Sequence, residues 1–242
     1  MNQRAGWLLR ALLLPGLLAT TAGAASRTWT GAGTDSNWFN VANWSPSDSF
    51  PTSGEPATIS SGYVILSNAT AALGSLTVTN ATLLFTNYEA KVTAVDVFVR
   101  NAGILTHTIN SDTNWADGWQ VDAHIAIECT NLTVTAGGSI NVDGKGWRGG
   151  FWLADSYGNY NYNGYDARAY GIGASPGGTY GGGGAGYGGR GGRSGPGDPA
   201  PDVGTNYGTA SQPDLPGSGS GGLQRSPGFN GGGLIQILAN DR

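Results

Sequence analysis

A chain of 242 residues with 43 Gly, 39% apolar and only 12% charged residues is long enough for one sizeable domain, but its composition argues against a conventional globular core along its whole length. A formal net charge of −4 with no basic stripe excludes a phosphate-backbone partner, so nucleic acid is not expected. The single cysteine, Cys129, excludes an intrachain disulfide framework.

Residues 1–24 read as a secretory signal peptide. Arg4 and Arg10 supply a positive n-region, Ala11 to Ala19 a short apolar h-region, and Ala22-Gly23-Ala24 an A-x-A cleavage site. A membrane anchor needs about 20 unbroken apolar residues, whereas Pro15-Gly16 interrupts a shorter run. Cleavage near Ala24 is therefore expected, leaving a secreted or cell-surface protein with no transmembrane segment in the mature chain.

Residues 25–56 form a Trp-rich start, with Trp29, Trp38 and Trp44 set among Gly, Asn, Asp and Ser. Three indoles can bury a large apolar area where no hydrophobic run exists, so they predict an N-terminal cap; a sugar-stacking platform is the functional alternative.

From Ala57 to Asp143 the chain reads as strand after strand. ATIS, YVIL, LTVTNATLLF, VDVFVRNAGIL and IAIECTNLTVTAGGSINV alternate apolar and polar residues at the period of 2 that a half-buried strand needs. Several hold an apolar pair, a turn of Asn, Ala or Gly, and a second pair: Leu76/Val78 then Leu83/Phe85, Val97/Val99 then Ile104 or Leu105, Leu132/Val134 then Ile140/Val142. Each unit is too small to bury its own face. Stacking successive units of about 20 residues buries a continuous stripe, which predicts a β-solenoid, an all-β right-handed parallel β-helix. The step from Leu76 to Val97 fits one unit; the longer step to Leu132 needs an insertion, which His107 to Ala123 supplies. In IAIEC, Cys129 shares the face of Ile125 and Ile127 and reads as a small buried hydrophobe.

Residues 144–230 hold most of the glycine, with many aromatic residues. The composition is that of a flexible linker, yet GGGLIQIL at Gly231 to Leu238 returns to strand pattern, so the tract reads as a Gly/Tyr-rich excursion, fixed at Gly144 to Phe151 and Gly228 to Gly233 and looser between. Trp152, Tyr157, Tyr160, Tyr162 and Tyr165, amphipathic rings on an adaptable backbone, are the candidate ligand-binding residues; packing over flat strand faces is the alternative role. Residues 231–242 read as the start of a further coil with neighbours on one side only. That predicts either a chain continuing beyond Arg242 or end-to-end self-association through an uncapped end.

The stretch TWTGAGTDSNWFNVANW followed by PTSGEPATI, then GGSINVDGKGWRGG, the Gly/Tyr tract and GGGLIQI, resembles exported bacterial glycine-rich parallel β-helix surface proteins, of the autotransporter-associated β-strand repeat kind, with a pectin-lyase-like solenoid as the related form. The resemblance implies a parallel β-helix at the cell surface or in the medium, and it carries no catalytic residue to transfer.

Catalytic chemistry finds little support in the residues. Asp143, Lys145 and Arg148 lie close in sequence, with Asp155 and Asp166 following, and Asp143, Asp155 and Asp166 could in principle hold calcium. No spacing places two carboxylates across a cleft, as glycosidases require. His107 and His124 lack a metal-ligand spacing, so zinc is not expected, and no cofactor is predicted. The functional reading is a secreted, non-enzymatic structural or adhesive solenoid segment with glycans or other surface proteins as partners; the alternative is a polysaccharide lyase or glycoside hydrolase.

Overall fold

The computed structural model describes residues 24–150, 169–175, 183–187, 190–192, 203–209, 211, 213–222 and 227–240. Eleven strands form among them: β1 (Arg27–Trp29), β2 (Trp44–Ser45), β3 (Pro56–Ile59), β4 (Gly62–Leu66), β5 (Ala72–Thr79), β6 (Ala81–Phe85), β7 (Val92–Arg100), β8 (Ile104–His107), β9 (Ile125–Val134), β10 (Ser139–Ile140) and β11 (Ile235–Ala239). From β3 to β10 successive strands alternate between two layers. A seven-stranded sheet runs β11-β9-β7-β5-β3-β1-β2 and a four-stranded sheet runs β10-β8-β6-β4.

Alternating apolar side chains from both sheets make the core. Leu76 pairs with Val97 and Val97 with Leu132 in the larger sheet, while Leu83 pairs with Leu105 and Leu105 with Ile140 in the smaller one. Leu76, Val78, Leu83, Phe85, Val97, Val99 and Leu105 are fully buried. Tight turns pass the chain from one layer to the other. Asn80 (φ 48°) joins β5 to β6, and Asn101 and Ala102 (φ 48° and 60°) begin the β7–β8 turn. These turns stack, Asn80 N–H donating to Asn101 O and Ala102 N–H to Gly137 O, both at 2.8 Å.

One end of this pair of layers is closed. Trp29, Trp38 and Trp44 are buried, with Trp44 edge-on to Trp29 at 5.3 Å and to Trp38 at 4.8 Å. Trp44 Nε1 donates to Trp38 O at 2.7 Å. Beneath the rings Arg27 donates to Glu55 at 3.0 Å and also meets Asp48. That guanidinium holds the carboxyl groups of Glu55 and Asp48 below their ordinary range.

The glycine-rich region is a second kind of structure. Its described segments are neither helix nor sheet, and they hydrogen-bond to one another in several directions with a period of three. Gly217 and Ser220 N–H donate to Gly232 O and Phe229 O, Trp147 and Gly150 to Gly217 O and Ser220 O, and Gly228 and Gly231 to Gly150 O and Trp147 O. Residues i and i+3 thus meet the same neighbour, as a three-residue-per-turn extended helix without internal hydrogen bonds demands. The intervening donors turn elsewhere: Gly219 N–H reaches Tyr170 O at 2.9 Å and Gly221 reaches Gly183 O at 3.1 Å. Bundling satisfies backbone groups that water would otherwise have to satisfy. Glycine is needed here for space, since a Cβ on Gly219 would overlap Arg148 O, and one on Gly204 would overlap Gly173 O.

These findings correct the expected architecture. The chain is all-β, but it forms two layered sheets, one of them mixed because β1 and β2 run antiparallel, and not a purely parallel right-handed β-helix. The resemblance to β-helical surface proteins of the autotransporter-associated β-strand repeat kind and to pectin-lyase-like solenoids lapses with it. Each repeating unit contributes two strands joined by one tight turn, which makes two faces; among the described residues the return stretches, such as residues 86–91, add no strand that could build a third. Both functional expectations, the adhesive or carbohydrate-contacting solenoid segment and the polysaccharide lyase or hydrolase, presupposed that architecture and fall with it. Described segments from 169 to 222 take part in the bundle, while the Tyr-rich stretch 151–168, expected to be looser, lies outside the described residues.

Candidate functional site

The two ends of the seven-stranded sheet are chemically unlike. At one, β2 contributes two residues, pairs only with β1 and carries Trp44, whose buried ring packs edge-on against Trp29 and Trp38. At the other, β11 pairs with β9 in parallel register, Ile235 with Ile125, Ile237 with Ile127 and Ala239 with Cys129. No described residue pairs with its outer side.

The sequence of β11, Ile-Gln-Ile-Leu-Ala, places Ile235, Ile237 and Ala239 on the core side and Gln236 and Leu238 on the other. Ile237 is 41% and Leu238 55% exposed. The strand carries none of the devices by which exposed edges are usually blunted: no lysine, no proline and no inward-pointing charge. Beside it runs a trough on the outer face of the sheet. One stretch, about 460 Å³, is lined by Lys91, Glu128, Pro213 and β11 residues. A second, about 290 Å³, continues past Pro213 and Ile235 to Tyr187 and Leu215. Lys91 and Glu128 pair at 3.1 Å along its rim.

The start of β11 is fastened from three directions. Gly233 N–H donates to Val142 O at 2.8 Å, Ile125 N–H to Leu234 O at 3.0 Å, and Leu234 N–H to His107 Nε2 at 3.2 Å. His107 is fully buried at the end of β8, and its Nδ1 lies 2.6 Å from Thr108 O. A carbonyl can only accept, so Nδ1 carries the proton and Nε2 is free to accept from Leu234. Burial pushes the imidazole down to about 4. Asn110, also fully buried, closes the neck of the residue 107–123 loop. Its Oδ1 accepts from Asp122 and Ala123 N–H, and its Nδ2 donates to Ala123 O and Lys145 O.

The candidate ligand-binding residues Trp152, Tyr157, Tyr160, Tyr162 and Tyr165 lie outside the described residues, as do Asp155 and Asp166. Asp143 is exposed, its N–H turned to Asn141 Oδ1. Among the described residues no three His, Cys, Asp or Glu side chains gather as a metal site. Cys129 is buried, and burial raises its thiol above the ordinary range. His124 lies tilted against Tyr88, ring centres 4.7 Å apart. His107 was legible only as a non-zinc histidine, although alternation from Leu105 already set it on the inner face.

No protein-family model, curated protein or solved structure matches this chain. Among the described residues no helix is long and apolar enough to cross a membrane.

Proposed function

We propose that the chain is an exported, non-catalytic assembly module that joins two copies through the open β11 edge. The observation that carries this reading is the asymmetry of the seven-stranded sheet: an uncharged, half-exposed edge strand at one end and a tryptophan-closed end at the other. Head-to-tail stacking would need the closed end to open, so the available geometry is isologous, with β11 pairing antiparallel to its own copy about Ile237. Support for the non-catalytic part comes from the buried polar groups. Arg27, Glu55 and Asn110 are each held in structural hydrogen bonds. Export rests on the residue 1–24 pattern, with cleavage near Ala24.

Sedimentation of the purified protein over micromolar to submillimolar concentrations tests the reading. A discrete dimer is expected for the native chain and a monomer of unchanged far-UV spectrum for Ile237→Lys, which places a charge on the edge. A native chain that stays monomeric throughout overturns the assembly, turnover on a broad panel of esters, peptides and glycosides overturns the non-catalytic assignment, and an intact N-terminus on exported protein overturns cleavage.

A further inference from the structure

We infer that His107 is an acid-released latch that seats β11 on the sheet, so that the joining edge exists only while this imidazole is neutral. The consequence for assembly rests on the proposed role of β11; the latch itself does not. His107 belongs to the four-stranded sheet and Leu234 to the segment entering the seven-stranded one. Their hydrogen bond is therefore a tie between layers, across 127 positions of sequence.

The tie works in one protonation state. Nδ1–H is committed to Thr108 O, and Nε2 has a lone pair to offer only in the neutral ring. A second proton on Nε2 would set two donors, the ring N–H and the Leu234 N–H, against each other inside the protein. An unsatisfied buried donor is costly. The ring edge packs directly against Gly233, where a Cβ would overlap Nε2. Among the described residues no carboxylate acts on the ring to receive the charge. The charged or titratable groups facing His107 are His124, just before β9, and Lys145, after β10, and both oppose protonation. Glu89 acts on His124. Burial is the main cause holding His107 neutral, down to about pH 4. Below that, the proton is accommodated by letting Leu234 go, which frees the start of β11 while β5, β7 and β9 keep their own ladder.

Ring ¹⁵N spectra and amide exchange of the native protein, followed from pH 7 to pH 3, test this. The expected result is a Nδ1–H tautomer at neutral pH, titration of His107 near pH 4, and a tenfold or greater loss of protection at Leu234 and β11 over the same interval with β5 and β7 still protected. His107→Gln, which accepts without titrating, should hold β11 protection constant across that range. Titration near the ordinary histidine value without change at Leu234 overturns the latch, as does simultaneous loss of β5, β7 and β11. Because exchange at Leu234 is read on monomer or dimer alike, failure of the assembly reading appears separately, as a native chain that sediments as a monomer at pH 7.

Discussion

The layered sheets and the glycine bundle answer the same demand, a partner for every buried backbone N–H and C=O, in opposite ways. In the sheets each strand bonds in one plane and leaves its side chains to alternate above and below, so burial of Leu, Val, Ile and Trp supplies the stabilisation. In the bundle the donors point in three directions around the segment, and at the closest crossings, such as Gly219 and Gly204, a Cβ would overlap a neighbour's backbone, while Trp147, Tyr207 and Ser218 are buried among the segments. Side chains hold the first region together by their presence; the second also depends on their absence at its closest backbone crossings. The boundary between the two runs through Val142, Gly233 and His107.

The largest effect is expected where the sheet region depends on a single ring. Trp44→Ala removes a fully buried indole and the hydrogen bond to Trp38 O, and should cost about 4 kcal/mol of unfolding free energy in denaturant titration. A loss below about 1 kcal/mol would mean that the cap is not part of the cooperative core. In the bundle the reverse substitution is the damaging one. Gly219→Ala drives a methyl into Arg148 O and should cost about 3 kcal/mol, at the upper end for overpacking. Exchange protection should vanish at Trp147, Gly150 and Gly221 and persist in β5 and β7. Gly232→Ala is its control: a Cβ there meets nothing within 4 Å, so stability should move by no more than about 0.5 kcal/mol. Equal responses at Gly219 and Gly232 would remove the distinction between the regions.

The boundary adds a pH dependence of similar total size, spread over a wide interval. The unfolded chain takes up a proton at His107 near pH 6.5, the folded chain only near pH 4. Stability should therefore fall as pH drops through that window, by about 3 kcal/mol in all. His107→Gln should flatten this part of the profile.

Much of the sheet region was legible because its stabilisation is written in side chains. Period-2 alternation located β5 and β6 on either side of Asn80, and apolar spacing picked out Leu76, Val97 and Leu132, which the ladder pairs. The same alternation set Cys129 on the buried face with Ile125 and Ile127. What it does not encode is how many faces a repeating unit makes. Two apolar pairs and a turn are compatible with two layers or with part of three, and the antiparallel β1–β2 pair came from turn geometry among the tryptophans. The bundle was illegible for a different reason: its three-residue period lives in backbone hydrogen bonds between segments as distant as Trp147 and Gly217. A glycine tract without fixed side-chain partners looks the same whether loose or packed. The β11 edge was visible as a strand with neighbours on one side, but its tie to His107 joins residues that no local pattern connects.

The smallest expected effect separates the two uses of glycine most cleanly. In the β7–β8 turn Ala102 is exposed and holds a φ of 60°, a left-handed conformation that costs an L-residue about 1–2 kcal/mol. One position later, Gly103 has no positive φ but lies so close to Val78 O that a Cβ would overlap it. The first residue would benefit from glycine for its conformation, the second is glycine for space. Ala102→Gly relieves the strain but adds freedom to the unfolded chain, which offsets about 0.4–1 kcal/mol. A net gain of about 0.5–1 kcal/mol should remain, read as a rise in Tm of about 1–4 °C. Because the Ala102 methyl is exposed, its removal opens no cavity to cancel that gain. Gly103→Ala, in the same turn, should lower Tm instead. If both substitutions lowered it, Ala102 would owe its place to a contact and not to tolerated strain, and the turns of the sheet region would follow the spatial rule of the bundle.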